Sequence, residues 1–220
     1  MTTIVHDWLR DPLVEVVEEE RQLCKFSHLS QAQQREWEDC HAATRLKLEG
    51  ATYHFRIIAG SVSLPGNLDD SRQMWWAILK WHLDAFFFEL MSAFDCLLQE
   101  VNVHYQLGLE EEDVKWRKLK ECAENKGVTL TVLADIEQAR QQDQFKKIVK
   151  YRNMVTHRTI VPVLEGYIIS NRPAVQLGSD KAEMYTPEGK TEPLVESCLA
   201  YLRFMINLIW KVWNTLKREQ

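Results

Sequence analysis

Apolar residues recur three and four positions apart through most of the chain, and that spacing predicts helices. Residues 11–29 open with Asp11 and Pro12, a capping residue before a good first helical residue. Leu13, Val16, Val17, Leu23 and Phe26 then fall on one side. A second helical pattern starts at Ser30 and continues to about Ala59. Residues 60–70, GSVSLPGNLDD, read as a loop because Gly, Pro and Ser punctuate them. Asp69 or Asp70 caps a long aromatic helix that reaches about Gln106. A fourth helix is expected within 107–127, with acidic residues in its first turn and Gly127 at its end. Thr129 or Thr131 caps a fifth, which closes on the stretch YRNMVTHRT, residues 151–159. The period changes abruptly after that. Residues 159–189 are rich in β-branched side chains, carry Pro162, Pro173 and Pro187, and predict two or three short strands confined to about 159–186. Helical spacing returns in the last thirty residues or so, where Leu194, Leu199, Leu202, Met205, Ile206, Ile209, Val212 and Leu216 line one face.

The expected fold class is therefore all-α in the main. A helical bundle over 69–220 carries a small β insert at about 159–189, and residues 1–68 form an N-terminal helical extension of two helices. The most apolar run, MWWAILKWHLDAFFFELMSAFDCLL, is interrupted by Lys80, His82, Asp84, Glu89 and Asp95. A membrane span needs about 20 nearly uninterrupted apolar residues, so a buried helix is expected and no membrane partner. Most of the eight tryptophans sit beside other apolar residues at helical spacing and are expected in the core.

Composition narrows the function classes. The formal net charge is -5, with 27% charged residues of both signs, so nucleic acid could be held only by a local basic patch. Cys24, Cys40, Cys96, Cys122 and Cys198 are scattered, without a CxxC pair or a Cys–His ligand spacing. Reduced thiols, a cytoplasmic chain and no metal or cofactor are expected. The first residues lack a basic stretch followed by an apolar one, so no secretory leader is expected. Phosphate-binding glycine loops, HExxH and GxSxG are absent.

Two features carry candidate chemistry. The first is the end of the fifth helix, where Lys150, Arg152, Asn153, His157 and Arg158 crowd together. Cations favour helix C-termini, so such a cluster has an ordinary reading as surface. It also has a chemical one. A histidine moves protons near neutral pH, and the flanking arginines disfavour its charged form. A guanidinium fork matches a phosphate, and RNA carries its own nucleophile in the 2′-hydroxyl. On an ideal helix Arg152 and His157 lie about 140° apart and about 7.5 Å along the axis. They converge only if the helix frays after Thr156 or if a second copy of the chain completes the site across a two-fold axis. The second feature is a polar stripe on the aromatic helix. Ser92, Asp95, Gln99 and Asn102 are spaced to share one side of an otherwise apolar cylinder. Such a stripe faces either water or a polar partner, for which the basic helix end is a natural candidate.

Together these features resemble the HEPN superfamily. FKKIVKYRNMVTHR resembles its Rx4-6H motif, with Arg152, four intervening residues and His157, and with polar Asn153 directly after the arginine. HLDAFFFELMSAFDCLLQEVN resembles the first core helix of the bundle, in which Asp95 is the acidic residue. The resemblance covers roughly residues 70–218. It implies an antiparallel four-helix bundle, here with two extra N-terminal helices and the β insert before the last helix. It also implies a homodimer with the motifs facing each other, and metal-independent endoribonuclease activity of the kind found in toxins and defence systems. The implied catalytic residues are Arg152, Asn153, His157 and Asp95, with Arg158, Gln99, Asn102 and Lys150 as substrate-binding residues around them. RNA is the implied substrate, and an antitoxin or regulatory protein a further partner. Some HEPN proteins are instead non-catalytic modules that bind a nucleotide or a protein, and this is the alternative expectation.

Overall fold

The computed structural model describes residues 25–62, 71–127, 131–156, 163–164, 183–185, 188 and 190–219. These form six α-helices: α1 (Gln31–Val62), α2 (Ser71–His104), α3 (Trp116–Asn125), α4 (Thr131–Gln141), α5 (Asp143–Thr156) and α6 (Leu194–Arg218). Three short strands, β1 (Val163–Leu164), β2 (Glu183–Tyr185) and β3 (Thr191–Pro193), make one antiparallel sheet in the order β1-β2-β3. The fold is, in the main, the expected all-α one with a small β insert before the last helix. None of the described helices is long and apolar enough to cross a membrane.

Most of the expected helix over 11–29 lies outside the described residues, and its last part is not helical: residues 27 and 28 form a turn. Ser30 ends it by starting α1. Its hydroxyl accepts from the Gln33 N–H at 3.3 Å, while Gln33 Oε1 accepts from the Ser30 N–H at 3.0 Å, a reciprocal cap. Helix α2 ends near its expected limit. The Leu107 N–H returns to the Asn102 carbonyl at 2.9 Å, and Gln106 takes the left-handed conformation, φ 50°, that closes such an end.

Three expectations need correction. Residues 111–113 form a separate 3-10 turn, so the acidic run precedes α3 rather than filling its first turn, and Lys115 stands at the N-cap. Gly127 does follow the helix with φ +66°. The expected fifth helix is two helices. In α4 the buried positions are Val132, Ile136 and Ala139, and continuing that spacing would bury Asp143. Residues 141–144 are all exposed instead, and the chain restarts as α5 with Phe145, Ile148 and Tyr151 inward. Strand structure also runs past 186, because Pro193 disfavours a helical Glu192 and holds residues 191–193 extended against β2. Proline is tolerated there because β3 is an edge strand.

The chain divides into two compact units. Among described residues, the first comprises 25–49, 93–127, 131–139 and 205–219. Its buried residues include Trp37, Leu97, Leu98, Val101, Leu119, Ile136, Ile209 and Trp213. The second comprises 50–62, 71–92, 140–156, the sheet and 190–204. Its core includes Phe55, Leu83, Phe86, Phe87, Phe145, Ile148, Tyr151, Met184 and Tyr201. Trp37 and Trp213 are core residues as expected, but Trp81 is 63% exposed.

Candidate functional site

The motif helix is positioned by its apolar side. Phe145, Ile148 and Tyr151 are buried at steps of three, which turns one face of α5 inward. Arg152 follows Tyr151 by about 100° around the axis and is half-buried; Asn153, one step further, is exposed. Arg152 Nη1 donates to Asn153 Oδ1 at 3.4 Å, a long contact that keeps the two side chains together. His157 and Arg158 lie outside the described residues.

Tyr151 fixes this last turn. Its ring stacks on Phe87 of α2, with centroids 4.5 Å apart and an angle of 18° between planes. Its hydroxyl donates to Glu192 Oε1 at 2.9 Å. Tyr201 of α6 donates to the same oxygen. Lys147, one turn earlier on α5, donates to Glu192 Oε2 at 2.5 Å. Burial, reinforced by the Glu192 carboxylate, pushes both phenols well above their ordinary pKa, so both remain donors. A second tie joins Lys150 to Glu188. The expected substrate-binding lysine therefore carries an ion pair at the surface.

The polar stripe on α2 is used largely by its own chain. Gln99 Nε2 donates to the Glu111 carbonyl at 2.8 Å. Asn102 is buried; its Nδ2 donates to the Leu109 carbonyl at 3.0 Å, and its Oδ1 accepts from the Leu109 N–H at 3.1 Å. Both amides thus hold the turn after α2. Asp95 is exposed and Ser92 half-buried.

Sequence reasoning missed two carboxylate centres. Glu192 looked like the start of the last helix; the signal was Tyr151 and Tyr201, two phenols on apolar faces that need partners. Glu100 is fully buried, and its Oε2 lies 3.1 Å from His41 Nδ1 and 2.9 Å from the donating Trp213 Nε1. Thr44 donates to the other oxygen. Burial raises the Glu100 pKa, while the bonds from His41, Thr44 and Trp213 act against that shift. Its position between Leu97 and Val101 on the most apolar helix was the available signal. A third cluster pairs His54 and His82, with Nδ1 atoms 2.8 Å apart, and burial lowers both pKa values. Among the described residues no group of three or more His, Cys, Asp or Glu is placed to hold a metal ion. Cys40, Cys96, Cys122 and Cys198 are not joined in disulfides.

The sequence model of the family described as Cthe2314-like HEPN matches residues 52–215, beginning within α1 and ending near the close of α6. No curated protein and no solved structure matches the chain.

Proposed function

The chain belongs to the Cthe2314-like HEPN family, and from that premise we propose that it is a metal-independent endoribonuclease. The observation that carries this reading is the last turn of α5. Tyr151 is locked inward, and Arg152 and Asn153 lie side by side toward the surface, five and four residues before His157 in the sequence. Arg152 would hold the scissile phosphate and offset the charge that builds on it. His157 would take the proton of the attacking 2′-hydroxyl or return one to the departing 5′-oxygen. Asn153 would orient Arg152, and Asp95 is a candidate acidic group. Arg158 and Lys150 remain the candidate RNA contacts, whereas the Gln99 and Asn102 amides, expected beside them, are committed to the turn after α2.

Attack by the 2′-hydroxyl forms the new O–P bond as the P–O5′ bond breaks, leaving a cyclic phosphate and a 5′-hydroxyl. The five-residue spacing of Arg152 and His157, about 140° on an ideal helix, supports a homodimer whose two motifs share one cleft. A cytoplasmic toxin or defence role, with an antitoxin or regulatory protein as partner, accompanies this reading. Purified protein should cut RNA in excess chelator, and the His157→Ala variant should not.

The net charge of -5 and the Lys150–Glu188 pair favour a second reading, a non-catalytic HEPN module that binds a nucleotide or a protein. Absence of RNA cleavage by the wild-type protein, together with saturable nucleotide or protein binding, would support it.

A further inference from the structure

We infer that Glu192 is the positioning residue of the candidate site, holding the last turn of α5 in place through Tyr151 and Lys147. This rests on the ribonuclease reading above and adds a residue from outside the motif. The geometry is one carboxylate serving two helices. Its Oε1 accepts from Tyr151 on α5 and Tyr201 on α6, and its Oε2 accepts from Lys147 on α5. The Glu192 side chain is only 12% exposed, so these bonds form largely away from water. Tyr151 is covalently next to Arg152, and Lys147 lies one turn earlier on α5. Glu192 therefore grips α5 at two points a turn apart, which fixes the rotation of the helix about its axis as well as its distance from β3.

Rotation is the variable that matters for a motif at a helix end. Arg152 is about 100° from Tyr151, so any turn of α5 swings the guanidinium along an arc around the axis. Phe87 stacks on one side of the Tyr151 ring, and Tyr201 packs with centroids 6.0 Å away, but ring packing alone tolerates sliding. The hydroxyl bond to Glu192 removes that freedom. Glu192 is itself pinned in β3, where it pairs with Met184 of β2, and Pro193 beyond it restricts its backbone. The sheet thus acts as a strut that reaches the motif through one side chain.

The test compares wild type, Glu192→Ala and Glu192→Gln as full chains, with His157→Ala as the activity control. RNA cleavage is measured in excess chelator, thermal unfolding by circular dichroism, and amide hydrogen exchange by peptide. Glu192→Ala should lower kcat about 10–100-fold with KM within about twofold, because small misplacements of a reacting group cost rates of this order. Its helical signal should be unchanged, and exchange should quicken in peptides covering 148–156 but not in those covering α1. Glu192→Gln keeps an oxygen that accepts from both tyrosines but loses the acceptor for Lys147, so it should recover part of kcat. Wild-type kcat in Glu192→Ala, or a change in KM alone, would overturn the inference. So would a loss of kcat in Ala with exchange over 148–156 unchanged, since that separates the rate from the hold on α5. If Glu192→Ala does not fold, Tyr151→Phe replaces it and should lower kcat without raising KM; an unchanged kcat would overturn the inference. If the wild-type protein cuts no RNA, the ribonuclease reading has failed, and exchange alone decides. Faster exchange confined to 148–156 then supports the clamp, and unchanged exchange there refutes it.

Discussion

Glu100 shows how much one side chain can organise. Its carboxylate gathers His41 and Thr44 from α1 and Trp213 from α6, and all three would lose their acceptor together. Glu100→Ala should destabilise the protein by about 3–5 kcal/mol, the usual cost of leaving buried polar partners unpaired, as read by urea unfolding. A loss below about 1 kcal/mol would show that His41 and Trp213 find other partners. His104 sets a pH dependence. Burial, with His28 nearby, lowers its pKa from 6.5 to about 4. Between those values the unfolded chain takes up a proton that the folded chain refuses. Stability should therefore fall as pH drops through 6.5 toward 4, by up to about 3 kcal/mol from this group. His54 and His82 act in the same direction, whereas the raised pKa of Glu100 opposes it. Urea unfolding of His104→Phe across that window should give a flatter pH profile than wild type, and an equal slope would exclude His104 as the source.

Among the elements, the turn after α2 is held by side chains rather than by a sheet or a core of its own. Asn102→Ala removes both bonds to Leu109 and should cost about 1–3 kcal/mol in urea unfolding. A neutral substitution would mean that Gln99, with Lys126 on the Gln106 carbonyl and Cys122 on the Leu107 carbonyl, suffices to hold the turn. Helices were legible in the sequence wherever an apolar stripe stayed in register, as in α1, α2 and α6. The α4–α5 break was harder to read because helical composition continues through residues 140–145 while only the phase of the buried positions changes. The third strand was obscured because Thr191, Glu192 and Pro193 also suit a helix start. The candidate motif was read from residue types alone, as Lys150, Arg152, Asn153, His157 and Arg158 crowd within nine positions; of these five residues the structure describes the first three. Its support was not legible. Glu192 stands far from Tyr151 in sequence, and only the sheet brings β3 to α5.

For the whole molecule, the HEPN membership and the helical fold stand on the family match over residues 52–215 and on the helices themselves. The assembly is the next question at this scale. Light scattering at micromolar concentration should give twice the chain mass of 25.9 kDa, and a single-chain mass would contradict the shared-cleft account. Catalysis is the central claim, and one substrate tests it most directly. An RNA carrying a single 2′-deoxy nucleotide at the scissile position, incubated with the protein in excess chelator, should resist cleavage there while the unmodified RNA is cut, because the attacking group is the substrate's own hydroxyl. Cleavage of both substrates at the same rate would contradict the mechanism assigned to Arg152 and His157.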